Sequence, residues 1–162
     1  MDNQLTSMNY LIDIQHASNV NIPISDEQLI HWAQLALTPN FEKAELTLRL
    51  VNVDEITHLN HHYRNQNKPT NVLAFPIQIP ADIKLDYPLL GDIIICPAIL
   101  SEESVALKKS LEAHWALIVI HGVLHLSGYD HIDDDDTERM QALEIKCLAE
   151  LGFDNPYQDD IN

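Results

Sequence analysis

The alternation of apolar and polar positions separates two kinds of segment along the chain. Residues 8–15, MNYLIDIQ, and 45–52, ELTLRLVN, alternate with a period of two and are rich in branched side chains, which predicts strands. Between them Ser25 and Gln28 form a capping-box pair, and Leu29, Trp32, Ala33 and Ala36 recur on one face at helical spacing. A second helix is predicted to begin at Asn52, with Glu55 completing a cap and Val53, Ile56, Leu59 and Tyr63 turned inward, and to end before Pro69. Residues 71–77, NVLAFPI, and 91–97, GDIIICP, read as further strands joined by a loop that contains Pro80 and Pro88.

Pro97 suits the first position of a helix reaching about Lys108, because its missing N–H has no partner to lose there. Ser110 restarts the chain as a helix. Residues 111–126, LEAHWALIVIHGVLHL, are apolar on nearly every side, the pattern of a helix buried at the centre of a core. The last helix starts in the Asp133–Asp136 run, whose carboxylates read as solvated residues that cap it and complement its dipole, and it continues through Met140, Leu143, Ile145, Cys147 and Leu148 to Gly152. This order predicts an α+β (α/β-like) layer structure, with a mixed sheet of about four strands packed with helices around the central apolar helix.

The chain has 162 residues, 46% of them hydrophobic, with 4 glycines, 8 prolines and no repeat or polar linker, which predicts one domain over residues 1–162. The first residues, MDNQLTSMNYL, lack a basic segment followed by an apolar one, and no apolar run reaches about 18 residues, so neither a secretory leader nor a membrane span is expected. Cys96 and Cys147 lie far apart without a C-x-x-C pattern and read as two small buried hydrophobes of a reducing compartment. A formal charge of −16 argues against a general attraction to polyanions. It leaves room for one cleft made positive by a metal ion and a few local cations.

Chemistry concentrates in HGVLHLSGYDH, which follows the apolar run directly. His121 and His125 are four apart, so both imidazoles leave one face of a helix. Gly128 can end that helix in a left-handed conformation, after which the chain can turn back and bring His131 to the same point. Three neutral imidazoles suit one Zn2+ per chain, with a fourth position left for chemistry. Asp130 reads equally as an acceptor behind a ligand N–H or as a turn residue. The histidine and glycine spacing is that of the metzincin proteases, except that Gly122 stands where their glutamate base would be.

The motif, followed by TERMQALEIKCLAELGF and preceded by LNHHYRNQNKPTNVLAFP and LGDIII, resembles the YbeY family of bacterial rRNA-maturation proteins over roughly residues 45–153. The resemblance implies a mixed α/β fold in the bacterial cytoplasm and a single-strand-directed, zinc-dependent endoribonuclease. Its work would be rRNA processing, late small-subunit maturation and ribosome quality control. Carried over by position, the metal ligands fall on His121, His125 and His131, and the functionally important arginine on Arg64. Ribosomal RNA, a small-subunit ribosomal protein and a ribosome-associated GTPase are the implied partners. Asn71 stands where many members have aspartate and Ala74 where many have serine, so neither is assigned a catalytic role.

The planar fork of Arg64 suits a phosphodiester oxygen and the added charge of a pentacoordinate transition state, while the ion would polarise a second oxygen or hold hydroxide. Other cations are sparse, so affinity for naked RNA should be modest and salt-sensitive, and targeting would rest on a partner. His58, His61 and His62 read as exposed helix histidines rather than RNA-stacking groups. Two alternatives stand beside the nuclease: a metallopeptidase-like hydrolase drawing its base from Asp92 or Asp130, and a noncatalytic metal-stabilised ribosome-assembly module.

Overall fold

The computed structural model describes residues 9–129 and 133–158, which form four strands and five helices. The strands are β1 (Tyr10–Ala17), β2 (Ala44–Val51), β3 (Val72–Pro76) and β4 (Leu89–Ile95). The helices are α1 (Asp26–Leu37), α2 (Val53–Arg64), α3 (Pro97–Leu107), α4 (Leu111–Leu126) and α5 (Asp134–Glu150). One mixed sheet has the order β1-β2-β4-β3, with β1, β2 and β4 parallel and β3 antiparallel on β4. The predicted α+β class and the mixed four-strand sheet are therefore present.

Helix starts follow local chemistry. Ser25 caps α1 in a complete capping box with Gln28, Pro97 opens α3, Ser110 Oγ accepts from Ala113 N, and Asp133 Oδ1 accepts from Asp136 N. The cap expected at Asn52 is different. Its Oδ1 accepts from Ser18 Oγ and Asn19 N, and Glu55 pairs instead with Arg49 at 2.8 Å, so no capping box forms. A tertiary contact to the loop after β1 has replaced the local one. Tyr63, expected to point inward, is 62% exposed and meets Phe75 edge-on at 5.1 Å between ring centroids.

The sheet separates two apolar clusters because successive strand residues face opposite sides. Leu46, Leu48, Leu50, Ile93 and Ile95 face α1, α4 and α5, while Leu73, Ile94 and Val51 face α2. Helix α4 is the hub, in contact with α1, α3, α5, β3 and β4. Its all-round apolar character follows from having packed neighbours on so many sides, and Trp115, Ala116, Val119, Ile120, Val123 and Leu124 are each fully buried.

Gly122 sets how close α4 comes to the sheet. A Cβ built there would lie 2.8 Å from Ile93 Cγ2, a methyl on a short branched side chain already held in the core. Position 122 therefore faces strand β4, and a carboxylate placed there would enter the core. Gly122→Glu is expected to lower unfolding free energy by about 3 kcal/mol or more, combining overpacking with an unpaired buried charge. Chemical denaturation measures this, and a midpoint near that of the wild type would show that α4 does not rest on Ile93 at this point.

Candidate metal centre

The C-terminal end of α4 carries the histidine pair. Gly128 has φ +106°, Gly128 N donates to His125 O, and Tyr129 N donates to Leu124 O. That pair of bonds is a Schellman stop, built on a glycine that tolerates the left-handed region, so the expected helix end is present. His131, the third predicted ligand, and Asp130 lie outside the described residues.

His121 Nε2 and His125 Nε2 are 3.1 Å apart, with the rings edge to face. Two Zn–N bonds of about 2.0–2.1 Å at a tetrahedral angle would hold their nitrogens about 3.3 Å apart, so this spacing suits a shared cation. The other side of His121 is equally specific. Its Nδ1 lies 2.5 Å from Glu144 Oε2, and the Glu144 side chain has no solvent exposure. A carboxylate accepts only, so Nδ1–H donates to it and Nε2 keeps its lone pair for a ligand position. The two imidazoles thus fit two ligand positions of a metal, and among the described residues no third His, Cys, Asp or Glu completes a ligand set with them.

Glu144 comes from α5, and its second oxygen accepts the hydroxyl of Tyr157. Burying a lone carboxylate would cost several kcal/mol, and these two donors offset that cost. Lys109 Nζ donates to Pro156 O at 2.7 Å, so residues next to Tyr157 are also tied to the α3–α4 turn. The phenol pKa is raised well above the ordinary tyrosine value, first by loss of hydration and then by the hydrogen bond and charge of Glu144.

Glu144 was not among the residues singled out from sequence. The signal was present: Met140, Leu143, Cys147 and Leu148 mark the inward stripe of α5, and Glu144 interrupts that stripe at a fully buried position. His114 carried a similar signal, lying seven residues before His121 on the same face of α4.

Among the described residues Arg64 is not brought into contact with His121 or His125. It ends α2 at an exposed position, and its side chain makes no ion pair or hydrogen bond among the described residues. Helix α2 packs on the sheet face opposite α4, and the edge strand β3 borders both: Phe75 meets Tyr63, while Val72 and His121 line one cavity. Asp92, the base considered for a peptidase, shares the side of β4 occupied by Ile94, away from α4, because strand side chains alternate. His58, His61 and His62 are exposed, and His58 stacks on His62 with centroids 6.3 Å apart. Asn71 donates to Glu103 rather than facing solvent alone. Cys96 and Cys147 are free, buried thiols whose pKa values are raised, chiefly by burial.

Among known proteins, the family described as Endoribonuclease YbeY matches residues 13–152. Endoribonuclease YbeY of Legionella pneumophila (strain Corby) is 57% identical over 155 residues, covering 96% of this chain and 98% of its own. The Pseudomonas fluorescens protein of the same name is 52% identical over 149 residues, covering 92% of this chain and 97% of its own. The solution structure of TM1509 from Thermotoga maritima has a TM-score of 0.57 at 26% identity, over 91% of this chain and 97% of that one. Fold and relatives together define the class as a nuclease-type hydrolase on an α+β scaffold. Within that class, the chain belongs to the endoribonuclease YbeY family.

The Tyr157 contact has a pH signature. A folded-state pKa raised above the unfolded value gives stabilisation that is complete below about pH 10 and is lost as the solution becomes more alkaline. Phenolate absorbance of the wild type and of Tyr157→Phe should therefore coincide through that range, until alkali unfolds the chain. An extra tyrosine ionising in the folded wild type near pH 10 would contradict this contact.

Proposed function

We propose that this protein is a zinc-dependent endoribonuclease that processes ribosomal RNA in the bacterial cytoplasm, with His121, His125 and His131 as the ligands of one ion. The single observation carrying this reading is the 3.1 Å approach of two imidazole nitrogens backed by a buried carboxylate. When bound, the ion would supply Lewis-acid stabilisation of phosphodiester charge and a more acidic water. Glu144 holds the proton on His121 Nδ1, so that Nε2 would be the atom of this imidazole to hold the ion, while Tyr157 donates to the other oxygen of Glu144. Arg64, with no competing carboxylate among the described residues, is assigned the grip on a substrate phosphate.

Single-strand preference, late small-subunit maturation and ribosome quality control complete this reading. They rest on the family resemblance, as does recruitment through a small-subunit ribosomal protein and a ribosome-associated GTPase. The charge of −16 supports recruitment by partners, since counterion release from so few cations gives little affinity for naked RNA. The peptidase alternative loses support. Gly122 abuts Ile93 in the core, Asp92 is on the wrong side of β4, and Glu144 is engaged behind the imidazole.

Metal analysis tests the ligand set. Wild type should carry about one zinc per chain, His125→Ala should lose most of it, and Glu144→Gln should bind about 10- to 100-fold more weakly. Acidification should release the ion, because protons compete with it for the imidazole nitrogens. Full occupancy in a variant with alanine at His121, His125 and His131 would overturn the assignment.

Arg64 separates catalysis from attraction. Arg64→Lys keeps charge but loses the fork, whereas Arg64→Glu reverses the charge. Both are expected to retain fold and metal and to process labelled rRNA precursor about a hundred- to a thousandfold more slowly, with RNA binding falling mainly in Arg64→Glu. Wild-type kinetics in both, at verified metal content, would refute the role. Peptide cleavage that is sensitive to chelator and lost in His125→Ala would replace the nuclease reading with a peptidase.

A further inference from the structure

A cavity of about 430 Å³ opens beside His121 and Tyr157, between β3, α3 and α4. Its size falls within the range of small-molecule sites, about 300–1,000 Å³. Along α4 it extends from His121 back to His114, seven residues or about 10 Å of helix. A phosphodiester held at the histidine pair has its attached nucleoside within that reach.

The far wall is polar and built from three separate elements. His114, with its side chain 5% exposed, donates from Nε2 to Glu103 Oε1 at 2.8 Å, and Asn71 Nδ2 donates to both Glu103 oxygens at 3.2 and 3.3 Å. Nδ1 of His114 is buried without a hydrogen-bond partner. Glu103 itself is one-third exposed, and Oε2 carries only the longer contact from Asn71, so a carboxylate with about four lone-pair sites keeps acceptor capacity. Val72, Leu107 and Ile118 supply apolar walls against which a planar ring can lie.

We propose that this cavity is a nucleobase subsite, which binds the base of a nucleotide adjoining the scissile phosphodiester through its donor edge. The proposal rests on the endoribonuclease reading and adds the substrate feature that this site selects. Acceptors on the protein favour bases bearing an exocyclic amino group. Guanine fits best, because its N1–H and N2–H2 present two adjacent donors to a carboxylate. Uracil fits worst, since its single edge donor, N3–H, lies between two carbonyl oxygens that the Glu103 carboxylate would repel. His114 and Asn71 are positioning residues here, holding the carboxylate across the cavity.

A purely structural role for Glu103 makes a different forecast. Glutamine retains an acceptor for His114 and Asn71, so Glu103→Gln would then leave substrate preference unchanged. The experiment uses the full-length zinc-loaded protein and a pool of randomised single-stranded RNA oligomers, with cleaved ends sequenced. Zinc content and melting temperature are measured for every variant. Wild type is expected to favour guanine over uracil by about tenfold at one position flanking the cut, the order of one good base-edge contact. Glu103→Gln should lose that preference with zinc content unchanged. Leu107→Trp, at a 54% exposed position where added bulk fills the cavity, should lose it too, and decides the matter if Glu103→Gln does not fold. Cleavage with no base preference in wild type, or with the same preference in the folded variants, overturns the subsite and leaves the nuclease standing. Absence of metal-dependent cleavage overturns the nuclease reading and the subsite with it.

Discussion

A carboxylate shut away from water organises the centre of this protein. Glu144 can remain buried only if each oxygen receives a donor, and the donors come from two other parts of the chain, His121 on α4 and Tyr157 near the C-terminus. Satisfying that one group sets the relative position of α4 and α5, ties down residues beyond α5, and selects the His121 tautomer. Stability and site geometry therefore share one set of hydrogen bonds. Disturbing any member leaves a buried charge poorly paired as well as an imidazole poorly aimed.

The sheet imposes a second constraint, through its two faces. Residues of β3 and β4 are sorted alternately to α4 or to α2, which puts Ile93 under Gly122 and sends Asp92 to the other side. A histidine and glycine spacing shared with metalloproteases is thus set in surroundings that deny it a nearby carboxylate base from Asp92 or position 122. Packing at position 122 gives the substitution in the motif a physical reason: a helix this close to a strand has no space for a side chain. Edge strand β3 is the element along which the α2 end, with Arg64, and the cavity beside His121 adjoin.

Local patterns in the chain were strong enough to determine its elements. Period-two and helical alternation, Ser25 with Gln28, Pro97, Ser110, Asp133 and Gly128 located every strand and helix among the described residues, with strand ends displaced by one or two residues. Those signals are local because hydrogen-bond capping and backbone conformation act over a few residues. Spacing along a helix is equally local, so the convergence of His121 and His125 was also legible.

What depended on tertiary structure was every choice made between distant segments. Asn52 looked like a capping residue, yet its side chain is engaged by Ser18 and Asn19, and Tyr63 looked like an inward residue, yet it lies over the edge strand. Glu144 showed only as an acidic break in an apolar stripe, and its partners are 23 and 13 residues away in sequence. Arg64 carried no sign that α2 would pack on the far face of the sheet from the histidines. The physical reason is the same in each case. A side chain's nearest neighbours in sequence reveal its periodicity and cap chemistry, but its burial, pairing and protonation are decided by groups that folding brings from elsewhere.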